Sequence, residues 1–171
     1  SKAAVDDYFE AECLKHPYNP VKKWIRSKDW DQHPRISDLY KSMGVDTSFP
    51  KDLGRIMLTK WLVSGCAAVE EKDGVAAQGV LVLQGAQGIG KTTWLKSLTG
   101  ENHTFFSDGA IIKPDDKDSV LNAIKYWIVE IGELDSTFRK QDISRLKAFI
   151  TSNQDNIRPP YGRVSVPWSR R

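Results

Sequence analysis

The chain is predicted to be an α/β protein, with an all-helical segment over residues 1–75 followed by a partial, mostly parallel sheet with interleaved helices over 76–171. Three observations carry this prediction. Apolar residues recur at helical spacing through most of the first 75 positions. Two short continuous apolar runs follow, "VLVL" at 80–83 and "YWIV" at 126–129, as expected of strands covered on both faces. Helical patterns alternate with these runs, which is the order that builds a parallel sheet.

Element by element, residues 3–15 form an amphipathic helix with Val5, Tyr8, Phe9, Cys13 and Leu14 on one face. "HPYNP" breaks it, and Asn19 then caps a short helix near 20–28 with Pro20 in its first turn and Val21, Trp24 and Ile25 inward. Residues 36–43 make another short helix ending at Gly44. A long helix runs from about 51 to 71, with Leu53, Ile56, Met57, Leu62 and Val63 as core candidates, and "KDG" stops it. Trp24, Trp30 and Trp61 are expected as core anchors of this helical segment.

The character then changes. "AQGVLVLQG" at 77–85 reads as a buried strand, and a helix follows from about 91 to 99, ended by Gly100. "HTFFS" is a strand, "KDSVLNAI" a helix and "YWIVEIGE" a second buried strand. Residues 138–152 place Phe138, Ile143, Leu146, Phe149 and Ile150 at helical spacing, and "IRPPYGRVSVPWSRR" has the turn chemistry and alternation of a hairpin or extended strand pair.

Composition narrows the class. No apolar run approaches the roughly 20 residues of a membrane span. The polar, acidic start "SKAAVDDYFE" is no signal peptide, and without an initial Met it reads as a processed or cut chain. Cys13 and Cys66 have no CxxC partner or histidine cluster, so they read as reduced core thiols of a cytoplasmic protein. His16, His33 and His103 are scattered and read as surface or core residues, not ligands. Residues 139–171 hold eight Lys/Arg against two Asp, a net +6, which leaves −3 for the rest. Such a basic end suits an anionic partner, although a solvated face has the same composition.

Gly85-Ala86-Gln87-Gly88-Ile89-Gly90-Lys91-Thr92 is a full GxxxxGKT. Its glycines let the backbone close into a concave nest whose amides, about residues 88–93, point at a phosphate. The following helix directs its positive end to the same place. Lys91 reaches the β and γ phosphates, the Thr92 hydroxyl ligates Mg²⁺, and Thr93 supports the α phosphate. The loop therefore binds a nucleoside triphosphate with magnesium, and the expected fold is a P-loop NTPase core.

Hydrolysis needs an acid as well. Glu133, at the tip of the "YWIVEIGE" strand, is favoured as general base, with Glu130 second, and either could hold the magnesium. Three residues apart on a strand, they point to opposite faces. A GTPase would need an NKxD-type motif, and none is present. A small-molecule kinase would open with its loop and carry an Arg-rich lid. An ATPase motor is the class that remains.

"NPVKKWIRSKDWDQHPRI", "VLVLQGAQGIGKTTWLKSLTG", "FFSD", "YWIVEIGELD" and "LKAFITSNQDNIRPPYGR" together resemble the virulence-associated protein E family over roughly residues 18–171. These are phage- and island-encoded P-loop ATPases allied to superfamily 3 helicases and primase-helicases. The resemblance implies a ring-forming, homo-oligomeric motor acting on single-stranded DNA in the replication of a mobile element, with a primase domain or partner beside it. It matches Gly85, Gly90, Lys91 and Thr92 to the phosphate loop and Glu130 and Glu133 to the acidic strand. It puts Arg158 and Arg163 in a basic hairpin segment, as DNA contacts or an arginine finger, and Lys147 is a further basic candidate. Two departures stand out. Gln32 occupies a position where the family tends to have glycine, and the chain stops at "VPWSRR" before the expected sensor strand, so the core is expected to be incomplete. The competing readings are an ATP-dependent switch or adaptor that does not translocate, and a nucleoside or nucleotide kinase.

Overall fold

The computed structural model describes residues 2–16, 18–113, 115–132, 140–157 and 166–169. Two units divide the chain, 1–30 and 31–171.

The first unit holds helices α1 (Lys2–Lys15) and α2 (Pro20–Ile25). Asn19 caps α2 as expected, its Oδ1 accepting from the Lys22 N–H at 3.1 Å, with Pro20 in the first turn and Val21 buried. The predicted apolar face of α1 is not covered: Val5, Tyr8 and Phe9 are 52–65 % exposed, and Cys13 is exposed too. A unit of about 30 residues with two short helices has too little surface to bury such a face. Trp30 is likewise exposed at 72 %, not an anchor, whereas Trp24 is half-buried.

The second unit begins with α3 (Ile36–Ser42) and α4 (Lys51–Glu70), which pack together. The face of α4 that turns inward differs from the expected one. Leu53, Ile56, Met57 and Val63 are exposed, while Gly54, Leu58 and Val69 are buried. This helix is apolar over most of its circumference, so periodicity does not choose a face; close approach does. Tyr40 lies over Gly54, and the Trp127 indole N–H donates to the Gly65 carbonyl at 3.0 Å. Cys66 is exposed, so the expectation of two core thiols fails at both positions.

The Tyr40–Gly54 contact makes a stability prediction. A Cβ at Gly54 would stand 2.3 Å from the Tyr40 hydroxyl oxygen, which is buried without a hydrogen-bond partner among the described residues. Gly54→Ala should therefore destabilise the unit by about 1–3 kcal/mol through overpacking, despite the roughly 1 kcal/mol that alanine gains in a helix. Tyr40→Phe, which removes an orphaned hydroxyl, should be neutral or stabilising in the same urea titration. Equal stability of Gly54→Ala and the native chain would refute the contact.

A parallel pair forms the small sheet: β1 (Phe106–Ala110) and β2 (Ile128–Ile131), joined through α6 (Lys117–Ile124) as a βαβ unit. The register runs Phe106↔Ile128 and Ser107↔Val129, then jumps to Ala110↔Ile131. Asp108 and Gly109 thus face the single residue Glu130 as a bulge, with Gly109 at φ +58°. Beyond β2, α7 (Lys140–Thr151) supplies Leu146, which packs with Ile112 and Ala123 and against Val129, Ile131, Phe149 and Ile150. Strands β3 (Gln154–Ile157) and β4 (Val166–Ser169) pair antiparallel; the strand pair expected within 157–171 has its first strand earlier, beginning at Gln154.

One strand is missing from this α/β arrangement of helices around a small parallel sheet. Residues 77–85 form no ladder, and Val80 and Val82 are 47 % and 64 % exposed. An apolar run becomes a strand only where a neighbouring edge accepts its hydrogen bonds, and among the described residues β1 and β2 pair only with each other.

Candidate functional site

The glycine-rich loop runs from Gly85 into α5 (Lys91–Ser97), and every residue from Gly85 to Gly90 is exposed. Gly88 and Gly90 take φ values of +80° and +93°, where a side chain would be strained, so the loop's curvature depends on these two positions. The helix starts cleanly behind them, the Trp94 N–H donating to the Gly90 carbonyl at 2.8 Å.

Two contacts define the loop's chemistry. The Lys91 ammonium folds back across the loop and donates to the carbonyls of Gly85 and Ala86, at 3.0 and 2.8 Å. The Thr92 hydroxyl donates to Glu130 Oε1 at 2.8 Å, across 38 positions of sequence. Thr92 and Glu130 are both half-buried. Glu130 projects from β2 opposite the Asp108–Gly109 bulge, so the strand irregularity sits beside the acid that meets the loop. A cation, a hydroxyl and a carboxylate thus converge on one exposed glycine loop.

The remaining expected residues are placed as follows. Ala86, Gln87, Ile89 and Thr93 are exposed on the loop or on the first turn of α5. Glu133, Arg158 and Arg163 lie outside the described residues. Lys147 is exposed on α7. On the same helix, Arg145 reaches Asp115 at 2.5 Å, an exposed pair of small energetic weight.

Two further tethers escaped sequence reasoning. The Trp94 indole N–H donates to Ser42 Oγ at 2.9 Å, tying α5 to α3, and Trp127 ties the turn before β2 to α4. No local pattern marks either residue, since each bond spans more than fifty positions. The carboxyls held below their ordinary range are elsewhere. Asp31 hydrogen-bonds Arg35, Asp38 hydrogen-bonds Lys41, and Asp46 accepts from the Ser48 backbone. All three are exposed, so they mark surface hydrogen bonding and not a second site.

Magnesium suits the donors present. It binds through one or two protein oxygens, keeps several waters and takes the rest of its shell from phosphate, and Thr92 with Glu130 offers such a pair. Among the described residues there is no cluster of three or more His, Cys, Asp or Glu that would make a closed metal cage. Nor is any described helix long and apolar enough to cross a membrane.

The family model of the virulence-associated protein E-like domain matches residues 25–171. No curated protein matches the chain.

Proposed function

The chain belongs to the virulence-associated protein E-like domain family, and from that premise we propose that it is the ATP-binding and hydrolysing module of a mobile-element DNA replication helicase or primase-helicase. The observation that carries the reading is the 2.8 Å bond between Thr92 and Glu130. A GxxxxGKT loop alone is a phosphate cradle; joined to an acid on a neighbouring strand it has the parts that phosphoryl-group hydrolysis needs.

In this reading the amides of the loop and the Lys91 ammonium hold the triphosphate. Lys91 now rests on two neutral carbonyls, and an anionic phosphate oxygen is the stronger acceptor, so the ammonium exchanges one set of partners for the other when ATP binds. Thr92 and Glu130 would hold Mg²⁺, which when bound draws charge from the β and γ phosphates. Glu130, or Glu133 beyond it, orients and deprotonates the attacking water. The basic end of the chain, with Lys147, Arg158 and Arg163, tracks the phosphates of single-stranded DNA in a sequence-blind and salt-sensitive way. A homo-oligomeric ring would bring an arginine from one subunit to the nucleotide of the next.

The test is ATP turnover by this chain with and without single-stranded DNA. Stimulation severalfold by an oligonucleotide supports the motor. Turnover indifferent to DNA, with Lys91→Ala abolishing only the binding of a protein partner, identifies a switch instead. Transfer of phosphate to a nucleoside identifies a kinase.

A further inference from the structure

The end of the sheet opposite the glycine loop carries a second concave surface. Both parallel strands begin there, β1 from the 3-10 turn His103–Phe105 and β2 from the turn at Lys125–Trp127. The Trp127 N–H donates to the Phe105 carbonyl at 3.0 Å, which fixes the two turns side by side. Between them lies an open cleft of about 550 Å³ lined by His103, Thr104, Phe106, Lys125 and Tyr126.

The lining has a particular chemistry. Phe106 is nearly buried and makes an apolar floor. Tyr126 and the exposed His103 present ring surface, and Thr104 presents a hydroxyl. The Lys125 ammonium stands 5.5 Å from the centroid of the Tyr126 ring and donates to Asn122 Oδ1 at 2.8 Å, which holds the cation beside the aromatic and leaves it further donor capacity. Among the described residues, no carboxylate lines the cleft. Flat rings, one positioned cation, a hydroxyl donor and no competing acid are what a stacked base and its phosphate require.

We propose that this cleft is a contact site for single-stranded nucleic acid, taking a base against the rings of Tyr126 and His103 and the adjoining phosphate on Lys125. It extends the single-stranded DNA part of the reading above and is independent of the ATP part. Tyr126 lies in the turn that precedes β2 and Glu130 within β2, towards its far end, so the oligonucleotide and the nucleotide occupy opposite ends of the sheet and bind together. The contact recognises no particular base, because every base has a face to stack.

The experiment is fluorescence anisotropy of a labelled 20-nucleotide oligo-dT with the whole chain, across a salt series, with ATP binding measured on each variant as the check of fold. Lys125→Gln should weaken the oligonucleotide severalfold and lower the slope of log affinity against log salt by about 0.7, the loss of one phosphate contact. His103→Ala and Tyr126→Ala should each weaken it by about tenfold, and Tyr126→Phe should restore binding. ATP affinity should stay native throughout. Native oligonucleotide affinity and salt slope in Lys125→Gln and His103→Ala would overturn the proposal. So would dTMP binding the cleft as tightly as the 20-mer, since that assigns it to a free mononucleotide. A native chain that binds ATP but no oligonucleotide also overturns it and leaves the phosphate loop standing, whereas oligonucleotide binding without ATP binding removes the ATPase reading alone.

Discussion

Replacing Lys91 with alanine should lower the affinity of the chain for ATP by about two orders of magnitude while leaving its fold intact. The size follows from what is lost: a charge-assisted hydrogen bond contributes about 1.5–3 kcal/mol, a factor of roughly 10 to 150. The intact fold follows from what Lys91 does without nucleotide. Among the described residues its ammonium donates only to the carbonyls of Gly85 and Ala86 on an exposed loop, and both can turn to water. Lys91→Arg should not rescue binding, because a planar fork cannot take the place of a compact ammonium inside a tight loop. Fluorescence titration with a labelled ATP analogue, beside a thermal melt, reads both quantities. ATP affinity within threefold of native in Lys91→Ala would rule out a phosphate-binding role for that side chain.

Glu130→Gln should separate binding from turnover. Glutamine is isosteric and keeps an acceptor oxygen for the Thr92 hydroxyl now 2.8 Å from Glu130, so the loop stays anchored to β2. Only the charge and the capacity to take a proton are removed. Turnover should fall by about 10²- to 10⁴-fold, the usual contribution of a positioned general base, with ATP affinity within a fewfold of native. Glu133→Gln is the companion variant. If Glu133 takes the proton from water, its substitution gives the larger loss of turnover and Glu130→Gln instead raises the magnesium concentration needed for binding. Full activity in both variants would remove the acidic strand from the chemistry altogether.

The parts of the molecule that sequence made legible are those set by neighbours in the chain. Asn19 and Pro20 mark the start of α2 because a cap and a fixed φ are local chemistry. The glycine loop is legible because its spacing has few other uses. The parts that were not legible depend on distant partners. Residues 77–85 have the composition of a strand, but a ladder needs an accepting edge, and composition carries no information about that edge. The buried face of α4 was chosen by Tyr40 settling on Gly54 and by Trp127 bonding at Gly65, so two glycines mark its inward side together with Leu58 and Val69. The meeting of Glu130 with Thr92 depends on the pairing of β2 and on the bulge at Asp108 and Gly109 beside it, a feature without a sequence signal of its own.

Gln32 shows the reverse case, where structure gives meaning to a sequence oddity. It is the one non-glycine residue among those described with a positive φ, at 64°. The resemblance to the virulence-associated protein E family places glycine at this position, and glycine adopts that conformation without the roughly 1–2 kcal/mol that a side chain costs there. The departure is therefore a local strain in the loop before α3, removed in the chain from the glycine loop and its acid.

The most direct measurement of the central claim is a titration of the ¹⁵N-labelled chain with ATP and magnesium, followed through its backbone amide resonances. The account predicts saturable shifts concentrated at residues 85–93, with a weaker response at Glu130, and none of comparable size around His103 and Tyr126. Amides of the loop that stay in place while nucleotide is added to saturating concentration, or shifts confined to another part of the chain, would contradict it.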